Sequence, residues 1–170
     1  MTLGMVILGR QGSGKGTQAI RIAERFQVVH ISTGDMLRSA VVEGTELGIK
    51  AKSIMDAGGL VTDDVVNGIV AERLAKDDVQ NSGFLLDGYP RTVGQATELK
   101  QLVGESLKLA INLDVSIEEV TQRMMSRGRE DDTPEAIARR LELYEAETAP
   151  LIKWFESENI LCVVDGLGTE

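Results

Sequence analysis

Nine residues carry the clearest chemistry in this chain: Gly9-Arg10-Gln11-Gly12-Ser13-Gly14-Lys15-Gly16-Thr17. They follow an apolar run, Met5 to Leu8, and precede a segment, Gln18 to Phe26, with Ile22 and Phe26 at helical spacing. Strand, glycine loop and helix in that order make a cradle for phosphate. The glycines let successive backbone N–H groups point into one concavity. The helix N-terminus adds partial positive charge and free donors. Lys15 supplies a mobile ammonium for the terminal phosphates, and Gly16 puts the hydroxyl of Thr17 one place later than in the commonest form of the motif. The bland alternative is a glycine turn that holds nothing. The strand-to-helix context favours nucleotide phosphate.

Arginines form the second chemical signal. Arg123 and Arg127 are i,i+4 neighbours on one predicted helix, where like charges repel unless an anion lies between them. Gly128 is placed to end that helix, and Arg129 follows in the loop. Thr133-Pro134-Glu135 reads as the start of another helix, with a hydroxyl cap and proline in the first turn. Its apolar stripe is Ile137, Leu141, Tyr144, Leu151 and Phe155, and Pro150 should bend it. Arg140 lies about 60° from the centre of that stripe and Arg139 far round the helix, so Arg140 can flank a cleft while Arg139 is solvated. Any one of these arginines could be a solvated surface residue. Together with Arg38 and Arg91 they make a planar, bidentate phosphate clamp the better explanation.

Asp87, in Asp87-Gly88-Tyr89-Pro90-Arg91, has two readings: organiser of a Mg²⁺ hydration shell, or strand-end cap. The magnesium role is preferred because a nucleotide held in such a loop normally brings the ion. His30, the single histidine, could be a base; a structural role at a strand end is preferred.

The elements that must hold these residues are legible as five apolar runs: Leu3 to Leu8, Val28 to Ile31, Phe84 to Leu86, Leu107 to Leu113 and Ile160 to Val164. Helical patterns separate them. Such alternation predicts an α/β fold, a parallel five-stranded sheet with helices on both faces and ligands at the carboxyl ends of the strands. The long gap between the second and third strands reads as helices over about Gly34 to Val42, Thr45 to Ala57 and Asp63 to Lys76. Gly44 and Gly58-Gly59 punctuate it. It suggests an inserted helical lobe that swings on glycine-flanked joints.

Composition narrows the function further. The 170 residues suit one domain, and 42% hydrophobic with 26% charged residues is ordinary for a soluble globule. A net charge of −9 argues against a nucleic-acid partner. No apolar run is long enough for a membrane span, and no signal peptide is evident. The single cysteine, Cys162, permits neither an internal disulfide nor a multi-cysteine metal site, and its apolar neighbours predict burial. The expectation is a cytoplasmic monomer.

These motifs resemble the adenylate kinases, of the nucleoside monophosphate kinase family. The matching blocks are the glycine loop, Ser32-Thr33-Gly34-Asp35-Met36-Leu37-Arg38, Asp87-Gly88-Tyr89-Pro90-Arg91-Thr92 with Gln95, and Arg127 to Asp132 with Arg140. They cover nearly the whole chain. The resemblance implies a P-loop NTPase-type CORE (1–31, 62–126, 133–170), an AMP-binding lobe (32–61) and a short LID (127–132) with no room for zinc. It implies reversible, Mg²⁺-dependent transfer of a phosphoryl group from ATP to AMP, giving two ADP. By that resemblance Gly12, Ser13, Gly14, Lys15, Gly16, Thr17, Arg123, Arg127 and Gly168 bind ATP. Thr33, Gly34, Arg38, Gly59, Leu60, Val61, Gly88, Tyr89, Arg91, Gln95, Arg129 and Arg140 bind AMP. Lys15, Arg91, Arg123, Arg129 and Arg140 surround the transferred group, and Asp131 and Asp132 match acids that hinge or latch the closed LID. Arg10-Gln11 stands where many relatives have two prolines. The family usually continues with a helix after the last strand, so one sheet face is expected to be undercovered.

Two other readings fit parts of the pattern. A UMP/CMP kinase would share the phosphate sites, although Thr33 and Gln95 favour adenine. A regulatory nucleotide-binding module would share the glycine loop but would not need Arg38 and Arg91.

Overall fold

The computed structural model describes residues 2–57, 59 and 61–168. The chain opens with β1 (Gly4–Leu8), every residue of which is buried. Its side chains alternate as a strand between two helical layers requires. Met5 and Ile7 pack on one side with Ala19, Ala23, Leu85 and Ile111. Val6 and Leu8 pack on the other with Leu86, Leu99, Leu151 and Phe155. Each of the larger of these buried side chains contributes roughly 1.5–3 kcal/mol relative to exposure.

The remaining strands are β2 (Val29–Ser32), β3 (Phe84–Asp87), β4 (Leu107–Asp114) and β5 (Leu161–Asp165). All neighbours pair in parallel, in the order β2-β3-β1-β4-β5. The carboxyl end of central β1 is therefore flanked by those of β3 and β4, and the glycine loop leaves from that point. This is where ligands collect in open parallel sheets.

Helix α1 (Lys15–Phe26) returns from the glycine loop and buries the small residues Ala19 and Ala23 against the sheet. After β2 come α2 (Thr33–Val42) and α3 (Glu46–Asp56), which pack as a hairpin. Their backbones approach closely: a Cβ at Gly48 would stand 2.0 Å from the Ala40 carbonyl oxygen. Ser32 caps α2 by accepting from the Asp35 N–H. Helices α4 (Asp63–Leu74) and α5 (Asp77–Ser82) lead into β3. The sequence reading ran one helix to Lys76 and missed α5, although Asp77 and Asp78 provide its acidic first turn. Then follow α6 (Val93–Val103), α7 (Ile117–Arg127), α8 (Pro134–Leu143) and α9 (Pro150–Ser157).

Gly128 ends α7 in the left-handed conformation, and Thr133 caps α8 by accepting from the Ala136 N–H. Pro150 does not simply bend one long helix. A π-helical turn, Tyr144–Thr148, separates α8 from α9, with the Ala149 N–H donating five residues back to the Tyr144 carbonyl at 2.7 Å. The wider turn accommodates a proline that can neither donate nor tolerate the carbonyl four residues before it.

The expected burial of Cys162 is overturned: its thiol is free and exposed. β5 is an edge strand paired only with β4, and Val163 and Val164 are 57% and 41% exposed. The apolar run was read as interior, yet edge position leaves it open to solvent. Among the described residues no helix is long and apolar enough to cross a membrane.

Candidate active site

A cleft of about 660 Å³ opens at the carboxyl ends of the strands. The glycine loop lines it together with Arg38, Arg91, Arg123, Arg127, Arg129 and Arg140. Residues more than a hundred positions apart converge here because parallel strands deliver every following loop to the same edge.

The loop's shape depends on close packing. At Gly12 (φ +85°), a Cβ would come within 2.8 Å of the Val120 carbonyl oxygen and 2.9 Å of the Met124 side chain in α7. Only glycine allows both that dihedral and that approach. Lys15 lines the cleft, its Nζ donating to the carbonyl oxygens of Gly9 (2.8 Å) and Arg10 (3.0 Å). Burial is the main cause that brings its pKa down to about 8; Asp87 opposes this, while Arg91 and Arg127 add to it. A buried ammonium resting on neutral carbonyls, with guanidiniums near, is poised to receive negative charge.

Arg91 is held on three sides. Its Nε donates to the Gly88 carbonyl (2.8 Å), its backbone N–H to Gln95 Oε1 (2.7 Å), and its carbonyl accepts from Thr148 Oγ1 (2.7 Å). Burial lowers its pKa, Asp87 opposes that, and Arg140 and Arg38 lower it further. Arg129 is lowered first by burial and then by Arg127 and Arg38. Guanidiniums stay protonated in proteins, so both shifts report charge held out of water, with neighbouring arginines adding to the cost.

Part of that charge is neutralised internally. Arg38 pairs with Asp35. Asp132, its side chain 2% exposed, accepts from Arg127 Nη2 and from Arg140 Nη1, both at 2.8 Å, and Asp131 pairs with Arg140. Burial pushes Asp132 up, but bonds and charge from Arg127 and Arg140 outweigh it and hold the carboxyl below its usual value. Arg123 reaches Glu119 (2.7 Å) and, at longer range, the Ser13 and Gly166 carbonyls. Exposed Arg139 meets Glu142 instead, as its position round α8 predicted.

Beside the cleft lies a narrower recess of about 50 Å³, lined by Thr33, Gly59, Val61, Val66, Gly88 and Gln95 among others. Gly34 lines both cavities. Leu60 lies outside the described residues.

Most sequence-derived candidates meet here, but three do not. Tyr89 is 2% exposed and its hydroxyl donates to Asn67 Oδ1 at 2.7 Å, so it anchors the Arg91 loop from within the core. Ser13 is 3% exposed, and a Cβ at Gly9 would stand 2.9 Å from its Oγ. Its N–H donates back to the Arg10 carbonyl, tightening the loop. Gly168 lines neither cavity.

Sequence reasoning missed Gln11, Tyr144 and Thr148, which also line the cleft. Tyr144 was placed on the apolar stripe of its helix, and that was the available signal. His30 lines the cleft as well, its Nε2 3.7 Å from Asp87 Oδ2.

The sequence that builds this cradle and its arginines is similar to those of known proteins. The adenylate kinase family model matches residues 7–160. The chain belongs to the adenylate kinase family. An adenylate kinase of Stenotrophomonas maltophilia is 47% identical over 171 residues, covering 96% of this chain and 91% of the relative. One from Oenococcus oeni is 48% identical, covering 99% and 92%, and one from Xanthomonas campestris pv. campestris is 47% identical, covering 97% and 91%. Membership of that family makes the chain a nucleotide-binding phosphotransferase, and its parallel sheet with flanking helices is the fold expected for one.

Proposed function

We propose that the cleft transfers the terminal phosphoryl group of ATP to AMP, with the ATP polyphosphate on the glycine loop and the AMP phosphate on Arg38 and Arg91. The observation that carries this reading is the arrangement of cations. Lys15 and Arg91 are close enough for each to feel Asp87, and Arg91 feels both Arg38 and Arg140. Two anionic groups can therefore be held in one cleft with positive charge between them.

The acceptor oxygen belongs to a phosphate that is already ionised, so no general base is required. His30 then needs no proton-transfer role. Catalysis rests on alignment and on stabilising the charge of the transferred group. Lys15, Arg123, Arg129 and Arg140 would supply that charge from the cleft side, and Arg91 would hold the acceptor in line. Water must be kept from the terminal phosphate of ATP, or hydrolysis competes. We assign that exclusion to closure of the 127–132 segment and of the 32–61 lobe, the rest of the chain acting as the CORE. The recess fits such movement, because α2 supplies Thr33, Gly34, Leu37 and Arg38 to its lining and a shift of that helix would widen its volume of about 50 Å³.

Asp87 fits a magnesium role. Its carboxylate faces the glycine loop, with Oδ2 3.8 Å from where a Cβ on Gly16 would stand, and its side chain is 13% exposed. A hard oxygen donor beside a phosphate cradle suits an ion that keeps most of its waters. When bound with ATP, Mg²⁺ supplies charge neutralisation across the phosphates. We further propose that the enzyme works as a cytoplasmic monomer; its acidic net charge of −9 favours solubility.

The test is an ADP-forming assay with ATP and a panel of AMP, UMP, CMP and GMP, repeated with two adenosines joined through five phosphates as inhibitor. AMP is expected to be the preferred acceptor, and the linked compound to compete with both substrates. Competition with only one substrate would refute the two-pocket reading.

A further inference from the structure

Asp63 is the first residue of α4 and lines neither cavity. Its side chain nevertheless reaches the recess through one intermediary. Asp63 Oδ1 accepts from Gln95 Nε2 at 2.6 Å, and Gln95 Oε1 accepts from the Arg91 N–H at 2.7 Å. Gln95 is 2% exposed, so its amide has little freedom to find water instead.

The direction of that amide is fixed from both ends. An ionised carboxylate can only accept, and a backbone N–H can only donate. Nε2 must therefore face Asp63 and Oε1 must face Arg91; the flipped amide would set donor against donor and acceptor against acceptor. One N–H and one lone pair of the amide remain, and Gln95 lines the recess. One turn along α4, Asn67 accepts from Tyr89, whose hydroxyl also lies 3.2 Å from the Gln95 carbonyl oxygen. The first turn of α4 thus braces the Gln95 side chain directly, and Asn67 reaches its surroundings only through Tyr89.

We propose that Asp63 is a specificity-determining positioning residue, which sets the donor and acceptor order that Gln95 presents to the acceptor base. This rests on the reading of the recess as the pocket for the AMP base. Adenine offers a ring-nitrogen acceptor beside an amine donor, which suits the remaining N–H and lone pair of a fixed amide. A 6-oxopurine offers the reverse, a ring N–H beside a carbonyl, and suits only the flipped amide. Holding the amide one way therefore selects the 6-aminopurine and rejects the 6-oxopurine, since a mismatched polar edge leaves groups unpaired.

The experiment compares kcat/KM for AMP and IMP in the wild type, Asp63→Ala, Asp63→Asn and Gln95→Ala. Asp63 is an exposed first-turn residue, so its variants are expected to fold, and melting curves check this. In Asp63→Ala the AMP-over-IMP preference is expected to fall about tenfold, mainly through KM, with kcat nearly kept. Asp63→Asn retains an acceptor oxygen and is expected to recover part of the preference. Adding Asp63→Ala to Gln95→Ala is expected to change the preference no further. A preference unchanged in Asp63→Ala but lost in Gln95→Ala overturns the proposal and leaves the pocket standing. A preference unchanged in both overturns the proposal together with the pocket assignment.

Discussion

Arg10 donates through Nε and Nη2 to one oxygen, Oε1 of Glu145, at 2.9 and 2.7 Å. Its Nη1 donates to the Val115 carbonyl (2.9 Å), and its guanidinium lies over the ring of Tyr144, 5.4 Å from the centroid. The glycine loop is thereby tied to the π-helical turn between α8 and α9. Proline would stiffen a loop by restricting φ. Here a side chain anchored from outside does the same work. The anchor bears on catalysis because the Arg10 carbonyl is one of the two resting places of Lys15 Nζ.

Arg10→Ala is therefore expected to raise the KM for ATP several-fold while the KM for AMP stays within about twofold. The partly exposed pair and its stacking contribute about 1 kcal/mol, so a loss of stability of that order should accompany it. Steady-state kinetics in both substrates, with thermal melting, checks the expectation. Equal effects on the two KM values would show that Arg10 acts on the whole cleft and not on the loop.

The five strands, the glycine loop, the cap at Thr133, and the arginines were legible in the sequence because each is a local pattern. An apolar run, a glycine spacing or a hydroxyl before a helix needs no knowledge of what lies across the fold. What escaped depends on pairing at a distance. Arg10 meets Glu145 across 135 positions, and Gln95 meets Asp63 across 32. Neither partner has a distinctive neighbourhood in the chain. Cys162 was misread for a related reason: β4 and β5 are both apolar, and sequence alone does not tell which of them lies at the edge. Tyr89 sits inside a site motif, yet its ring turns into the core, a choice fixed by Asn67 in α4.

Asp132 links the short segment after α7 to two arginines of the cleft, and its carboxyl titrates below the usual range. Depression of a carboxylate pKa on folding adds stability that is present above its unfolded value, near 4, and lost as pH falls through the folded value. Asp132→Asn removes the charge while keeping the shape. It is expected to cost about 1–3 kcal/mol at neutral pH, since Arg127 and Arg140 both lose the charge of Asp132. The gap in melting temperature between wild type and variant should hold from pH 7 to 5 and close below pH 4. A gap that persists unchanged at pH 3 would assign the stabilisation to something other than the carboxylate charge.

Lys15 provides the opposite sign. Its pKa of about 8 lies below the value of an exposed lysine, near 10.4, so between those values the unfolded chain binds more protons. The stability of the free protein is thus expected to rise, relative to a Lys15→Met variant, as pH increases from 8 to 10. Nucleotide reverses the preference, because polyphosphate favours the charged ammonium and raises its pKa. Binding of MgATP is expected to take up protons between pH 8 and 9.5 and to weaken as pH rises through that range. Calorimetry in buffers of different ionisation enthalpy measures the uptake directly. Lys15→Met should abolish the uptake, lower turnover by orders of magnitude and leave the melting temperature at neutral pH unchanged or higher. Affinity for MgATP independent of pH from 7 to 9.5, with no proton uptake, would mean that Lys15 keeps an ordinary pKa and that its burial among the cleft cations does not govern nucleotide binding.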